Sequence, residues 1–188
     1  NQNSASWNVS GNTIGTGGNT TGALVSDFTS SSDFIFSTSI RANNDNDYMG
    51  VVFGWQDSGN SYALGWGGGG VGGLNGIGLY SEVGGVRATL ASDASLWNSG
   101  EVYDFLVGRS GNDIVASITQ GATTVFSASI TDTTFMTGNV GFDVFSQDTT
   151  FSFGNTDYTV TSVPEPATLA LLGLGLAGIG FSRIQSNA

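Results

Sequence analysis

The feature that most constrains this chain is an alternation of apolar and polar residues that recurs, in short runs, from residue 1 to residue 161. Successive side chains of a β-strand point to opposite faces, so the alternation predicts strands with one buried face. Gly, Asn, Asp and Ser clusters separate the runs, and no proline occurs before Pro164. Strands divided by such regular turn signals predict an all-β, jelly-roll β-sandwich, and no run in this region has helical periodicity.

Ten strands are predicted from the clearest alternation, and the phenylalanines within them are expected to face the interior. These phenylalanines are Phe34, Phe36, Phe53, Phe105, Phe142 and Phe145. The predicted strands are Phe34–Ile40, Tyr48–Trp55, Ser61–Trp66, Ile77–Glu82, Val86–Leu90, Tyr103–Arg109, Ile114–Thr119, Thr124–Ile130, Val140–Phe145 and Thr150–Phe153.

The chain changes character after residue 161, which predicts a β-sandwich domain at 1–161 and a separate tail at 162–188. Val163-Pro164-Glu165-Pro166 is an extended break, because each proline disfavours helical geometry in the residue before it. The uncharged run Ala167–Phe181 follows and predicts a hydrophobic α-helix. At ~1.5 Å per residue this helix would span roughly 22 Å, which is short for a bilayer core of ~30 Å.

The tail resembles the PEP-CTERM sorting signal of Gram-negative surface proteins, in which Pro-Glu-Pro precedes a short apolar stretch and a basic end. The matching motif is Pro164, Glu165 and Pro166, and the basic end is reduced to Arg183. The resemblance implies transient contact with an exosortase and a membrane. Because the chain begins with Asn1 and no charged, apolar leader precedes it, we expect an extracellular or cell-surface protein whose N-terminal signal peptide has been removed.

One face of the predicted helix carries only small residues, which suggests a second use for the tail. Small faces allow close approach of helix backbones, and glycines make such a helix unstable in water. We therefore expect self-association, for example into a filament, while a simple membrane anchor stays open as the alternative. The residues of this assembly face are Ala170, Gly173, Ala177 and Gly180.

Composition excludes several kinds of chemistry. The chain has 15 Asp and Glu residues against four Arg, it lacks Lys, His and Cys, and its net charge is −11. Serine–histidine triads, thiol nucleophiles, zinc fingers and disulfides are therefore absent. An acidic surface repels nucleic acid and attracts divalent cations.

Two stretches, Asn43–Asp57 with Asn60–Trp66 and Gly138–Asp148, carry a further resemblance. In the first, an acidic turn precedes an aromatic and glycine-rich strand and a return strand. This arrangement resembles the C-terminal domain of thrombospondins, a concanavalin A-like (L-type lectin, laminin G-like) jelly roll, over roughly residues 27–160. The resemblance implies a calcium-stabilised sandwich with the acidic turn as the metal site.

The residues of the turn also favour a calcium site independently of the resemblance, although a solvated turn is the alternative. Asp45 and Asp47 flank Asn46, so two carboxylates and nearby carbonyls can converge on one Ca²⁺, which prefers oxygen ligands. Asp and Asn are also the commonest turn residues, because they hydrogen-bond their own backbone. Asn44 is a further candidate ligand, and Asp143 and Asp57 qualify only if the fold brings them close.

Aromatic residues beside polar groups are candidates for stacking on a sugar, although such rings more often lie in a core. The candidates of this kind are Trp55, Trp66, Trp97 and Tyr80. Trp66 precedes the glycine run Gly67–Gly73 and is therefore expected to be the most exposed. The predicted carbohydrate-binding residues are Trp66 and Tyr80.

Hydrolysis is not expected, because a retaining glycosidase needs two carboxyl groups about 5 Å apart. Glu82 and Glu101 have no acidic partner two or four residues away on the same strand. Two non-enzymatic functions are therefore predicted. The first is a self-assembling structural protein of the surface or matrix with a structural calcium, and the alternative is a calcium-dependent glycan-binding module anchored by the tail.

Overall fold

The structure is a computed structural model that describes residues 3–4, 7–11, 13–16, 20–31, 33–42, 47–68, 75–145 and 151–160. All regular structure in these residues is β-strand. The strands are β1 (Asn3–Ser4), β2 (Trp7–Ser10), β3 (Thr13–Thr16), β4 (Thr20–Val25), β5 (Asp33–Ala42), β6 (Tyr48–Asp57), β7 (Asn60–Gly67), β8 (Gly76–Val83), β9 (Val86–Asp93), β10 (Val102–Ser110), β11 (Asp113–Gln120), β12 (Thr123–Thr131), β13 (Asn139–Phe145) and β14 (Phe151–Val160).

Two seven-stranded sheets pack face to face. Sheet A has the order β1-β4-β13-β6-β7-β8-β9, and sheet B has the order β12-β11-β10-β5-β14-β3-β2. Pairing is antiparallel throughout, apart from the two-residue parallel contact of β1 with β4. The predicted all-β sandwich of two sheets is therefore confirmed.

Alternation along the strands sorts the side chains into a core and two outer faces. On β6, for example, Met49, Val51 and Phe53 point into the core, and none of them is more than 1% exposed. Because period-two alternation places every second residue on the same face, the residues between them lie on the outer face of sheet A. The predicted interior phenylalanines Phe34, Phe36, Phe53, Phe105 and Phe142 are all buried.

A bulge interrupts β6 near its end. Gly54 adopts a φ of 57°, and the pairing of β6 with β7 shifts between Phe53 and Asp57. A Cβ on Gly54 would lie 3.1 Å from the Tyr62 ring, so a glycine is needed here for space as well as for its backbone angle. The Gln56 side-chain amide donates to the Thr137 carbonyl oxygen at 2.6 Å and holds the bulge in place.

All ten predicted strands are present, and four N-terminal strands, β1 to β4, were not predicted. Among the described residues, no helix is long and apolar enough to cross a bilayer. The predicted hydrophobic helix, including Ala170, Gly173, Ala177 and Gly180, lies outside the described residues. The same is true of the side chain of Phe145.

Candidate functional site

Glycines on the outer face of sheet A leave space for two tyrosine rings to lie against the sheet. Gly65 on β7 pairs with Gly50 on β6 and with Gly78 on β8, so three neighbouring strands lack side chains at one level. A Cβ on Gly65 would overlap the ring of Tyr48, and a Cβ on Gly78 would overlap the ring of Tyr80. Glycine is therefore required at both positions, because each tyrosine ring lies directly against the sheet.

Arg87, from the edge strand β9, extends over these two rings. Its guanidinium carbon lies 5.8 Å from the ring centroid of Tyr48 and 5.2 Å from that of Tyr80, which is within the range of cation–π attraction. Its Nε and Nη2 also donate to Oε2 of Glu82 at 3.2 and 3.1 Å. Arg87 is thus held by two aromatic faces and one carboxylate.

Asp143 supplies a second carboxylate, besides Glu82, near Arg87 on the outer face of sheet A. It lies on β13 opposite Gly50, which leaves space for its side chain to extend towards Tyr48. The pKa of Asp143 is raised to about 6, chiefly by burial and to a smaller extent by the negative charge of Glu82, while Arg87 and the Tyr48 hydroxyl act in the opposite direction. Burial and the nearby Asp143 charge likewise raise the pKa of Tyr48 well above its ordinary value.

These residues line two adjoining cavities, which together we call the sheet A groove. One cavity, of about 350 Å³, is lined by Thr21, Tyr48, Glu82, Gly85, Arg87, Asp143 and Val144. The other, of about 280 Å³, shares Thr21, Glu82, Arg87 and Asp143 with the first. The shared residues show that the groove is continuous across the sheet, and its remaining walls include Trp55, Ser58 and Ser61.

The Tyr48 hydroxyl is buried beside the Asp143 carboxylate, and among the described residues it lacks a partner at good hydrogen-bond geometry. Tyr48 is only 1% exposed although it points away from the core between the sheets. Its hydroxyl and Nη2 of Arg109 are the two buried side-chain polar atoms of the described residues that have no hydrogen-bond partner. An unpaired buried polar group costs about 1–3 kcal/mol, so a ligand hydroxyl that reached Tyr48 would relieve that cost.

The two predicted carbohydrate-binding residues, Trp66 and Tyr80, lie in different parts of the structure. Tyr80 lies beside the groove, where Arg87 extends over its ring, and it is 9% exposed. Trp66 was expected to be exposed, and this expectation is wrong because its ring lies in the core at 1% exposure. Its indole nitrogen donates to the Ser95 carbonyl oxygen at 2.7 Å, and its ring packs edge-on against Tyr103. The adjacent glycine run therefore does not expose it.

The predicted calcium ligands are only partly within the described residues. Asn44 and Asp45 lie outside them. Asp47 is buried at 1% exposure directly before β6, whereas Asp57 ends the same strand and accepts hydrogen bonds from Gly59 and Asn60. Asp57 therefore cannot converge with Asp47. Asp143 lies in the groove, and within the described ranges no three acidic side chains cluster as metal ligands do.

Sequence reasoning missed Tyr48, Arg87 and the meeting of Glu82 with Asp143. The two carboxylates come from strands β8 and β13, which are separated by β6 and β7 in the sheet. A search for acidic partners on one strand does not detect such a pair. The glycines at 65, 67, 76 and 78 were a usable signal, because they recur every second residue along two successive strands.

A larger cavity of about 510 Å³ lies elsewhere, with walls that include Leu24, Phe36, Phe142 and Tyr158. The Phe28 ring lies 4.8 Å from that of Tyr158 at this cavity. Asp27 is the one ionisable carboxylate among its lining residues. This cavity therefore lacks the paired charges of the sheet A groove.

Comparison with solved structures defines the class of fold. The chain is similar to a carbohydrate-binding module, CBM66, from Bacillus subtilis, with 15% identity over 82% of this chain and 91% of that one and a TM-score of 0.67. A putative glycosyl hydrolase from Parabacteroides distasonis matches with 14% identity, 82% and 90% coverage and a TM-score of 0.58. Sheep galectin-11 matches with 5% identity, 73% and 97% coverage and a TM-score of 0.53. These likenesses show a shared β-sandwich fold.

Comparison of the sequence identifies the tail. Residues 162–184 match the model of the PEP-CTERM protein-sorting motif, which confirms the predicted sorting motif at Pro164, Glu165 and Pro166. The motif indicates a secreted protein that is sorted to the cell surface and contacts an exosortase transiently. No curated protein matches the chain.

Proposed function

We propose that this protein is a cell-surface glycan-binding module, with the sheet A groove as its binding site. The observation that carries the proposal is the position of Arg87, which lies over the rings of Tyr48 and Tyr80 and lines the groove together with Glu82 and Asp143. The likeness of the fold to a carbohydrate-binding module supports it. The sorting motif supplies the means of display at the surface.

The chemistry of the groove suits a polyhydroxylated ligand. Binding sites generally combine apolar surface with a few placed polar groups that fix orientation. Here apolar surface comes from Val144 and Trp55, while Glu82 and Asp143 can accept hydrogen bonds and Arg87 can donate them. Carboxylates are strong hydrogen-bond acceptors, and sugar hydroxyls are suitable donors to them.

Binding without hydrolysis is the activity we propose. Oε2 of Glu82 already accepts two hydrogen bonds from Arg87, and this ion pair opposes its use as a general base or nucleophile. A reducing-sugar assay on xylan, β-glucan and fructan tests this point. Turnover that Glu82→Gln or Asp143→Asn abolished would contradict a purely binding role.

A glycan array with the full chain tests the proposal. We expect wild-type protein to bind at least one glycan and Arg87→Gln to lose that binding. Arg41→Gln is the matched control, because Arg41 is an exposed arginine on β5 of sheet B. Equal binding by wild type and Arg87→Gln, or no binding on any array, would overturn the proposal.

Calcium at the acidic turn remains a proposal of its own, following the resemblance to thrombospondin C-terminal domains. Its support is the sequence of the turn, in which Asp45 and Asp47 flank Asn46, because Ca²⁺ prefers oxygen ligands such as carboxylates. A ligand that binds only the folded state raises the melting temperature. We expect Ca²⁺ to raise that of wild type and of Asp57→Asn, but not that of Asp47→Asn. An unchanged wild-type melting temperature, with and without chelator, would contradict the proposal.

Self-assembly through the tail also stays a prediction, because the residues that motivate it lie outside the described ranges. Truncation at Ser162 separates it from glycan binding. Loss of assembly with unchanged glycan binding would support an assembly role for the tail. Undiminished assembly of the truncated chain would refute it.

A further inference from the structure

We infer that Trp55 forms a second sugar subsite in the sheet A groove, so that the ligand is an oligosaccharide chain and not a single terminal sugar. The inference rests on the proposed function and extends it from a class of ligand to the length of ligand that the site recognises.

The bulge at Gly54 determines where Trp55 points. Met49, Val51 and Phe53 face the core, so uninterrupted alternation would place residue 55 in the core as well. The register shift after Phe53 breaks that alternation, and Trp55 instead lines the groove together with Val52 and Ser61. β-Bulges commonly redirect a side chain in this way beside functional sites.

Trp55 differs from the other tryptophans in its packing. Trp66 and Trp97 belong to the buried core, and Trp7 packs against it. Trp55 is only partly buried, and within the part of the chain that the structure describes it neither packs against the core cluster nor contacts another ring. Core packing therefore does not explain its position, and its ring is available to a ligand.

The distance along β6 sets the length of the ligand. Trp55 comes seven positions after Tyr48 on β6. At ~3.3 Å per residue, the Cα atoms of the two residues are roughly 20 Å apart along the strand. One sugar ring cannot contact both residues over that distance. The two cavities share Thr21, Glu82, Arg87 and Asp143, so a chain of sugars can run from one to the other without interruption.

Chain-length dependence of binding tests the inference. The full chain, in a zwitterionic detergent without a sugar headgroup, is titrated calorimetrically with mono- to hexasaccharides derived from xylan, β-glucan and fructan. For wild type we expect affinity to rise at least tenfold from the monosaccharide to the longer oligosaccharides. Trp55→Ala should reduce the ratio of oligosaccharide to monosaccharide affinity at least tenfold, and Trp55→Phe should restore part of it.

Phe28→Ala is the control, because it removes an exposed ring (43% exposed) outside the groove, and it should keep the wild-type ratio. An unchanged ratio in Trp55→Ala, with binding still lost in Arg87→Gln, would overturn the second subsite and leave the proposed function standing. Absence of wild-type binding both to these saccharides and to every glycan on the array would overturn both.

Discussion

The outer faces of the two sheets differ sharply although both sheets contribute to the same core. The outer face of sheet A has two tyrosine rings that lie against glycines and three charged side chains that line one groove. The outer face of sheet B carries mainly short hydroxyl side chains, among them Ser37, Ser117, Ser127 and Ser129. Here one of the few charge-assisted contacts is the hydrogen bond from Ser39 to Asp104 at 2.6 Å.

This difference shows which features a sheet face needs for folding alone and which features are typical of a binding site. Short hydroxyl side chains on a solvated sheet face are compatible with strand structure, and the buried Ser39 among them has a partner in Asp104. Sheet A, by contrast, buries the Tyr48 hydroxyl without full compensation and half-buries Asp143, whose pKa is raised. Perturbed groups of this kind cluster at functional sites. The stability of sheet A should therefore be sensitive to substitutions on its outer face, and that of sheet B should not.

The largest effect is expected from Gly65→Ala. The added methyl group would overlap the Tyr48 ring, so the ring must leave its place in the groove. Overpacking of this kind costs about 1–3 kcal/mol, and we expect a value near the upper end together with loss of glycan binding. Urea unfolding measures the stability, and a variant as stable as wild type would contradict the described contact.

The next effect concerns pH and Asp143. Its pKa is raised from 3.8 to about 6, so the folded state holds this proton more tightly than the unfolded chain does. The stabilisation is complete below pH 4 and is lost as pH rises through 6. The loss is at most about 3 kcal/mol and, because the side chain is partly exposed, we expect about 2 kcal/mol. Urea unfolding between pH 4 and pH 7 should show this fall in wild type.

Asp143→Asn provides the matched variant, since asparagine keeps the shape of the side chain without its charge. We expect the fall in stability between pH 4 and pH 7 to become smaller by that amount. If the free energy of unfolding depended on pH equally in the two proteins, ionisation of Asp143 would cost the folded state nothing. That result would contradict the raised pKa of Asp143.

A smaller effect is expected from Arg87→Gln. Removing the guanidinium leaves Glu82 and Asp143 without their shared positive charge, so the pKa of Asp143 should rise above about 6. The ion pair is partly exposed, and we therefore expect only about 1 kcal/mol of lost stability. Carboxyl-carbon NMR titration measures the pKa, and a downward shift in Arg87→Gln would contradict the described charge arrangement. Arg41→Gln should leave that pKa unchanged.

The smallest effect is expected on sheet B. Ser117→Ala removes an outward hydroxyl from β11, and surface substitutions of this kind usually change stability by less than about 0.5 kcal/mol. Neither stability nor glycan binding should change measurably. A loss of stability above 1 kcal/mol, or any loss of glycan binding, would contradict the claim that only the outer face of sheet A is sensitive to substitution.

The sequence predicted the strands better than it predicted the site, for physical reasons. Alternation is a local property, so β5 to β14 were recognised, whereas short polar stretches such as Trp7–Ser10 on β2 alternate too weakly. The groove depends on register between strands distant in the chain, which brings Asp143 opposite Gly50. Trp66 was misplaced because a flanking glycine run indicates a loop but does not show which way the preceding ring points.

The measurement that tests the account most directly is the amide chemical-shift map of the ¹⁵N-labelled full chain during titration with tetrasaccharides from xylan, β-glucan and fructan. The account predicts that the amides that shift with at least one tetrasaccharide lie around Tyr48, Gly65, Tyr80, Arg87 and Asp143. Shifts confined to the outer face of sheet B, or the absence of any saturable shift, would contradict it.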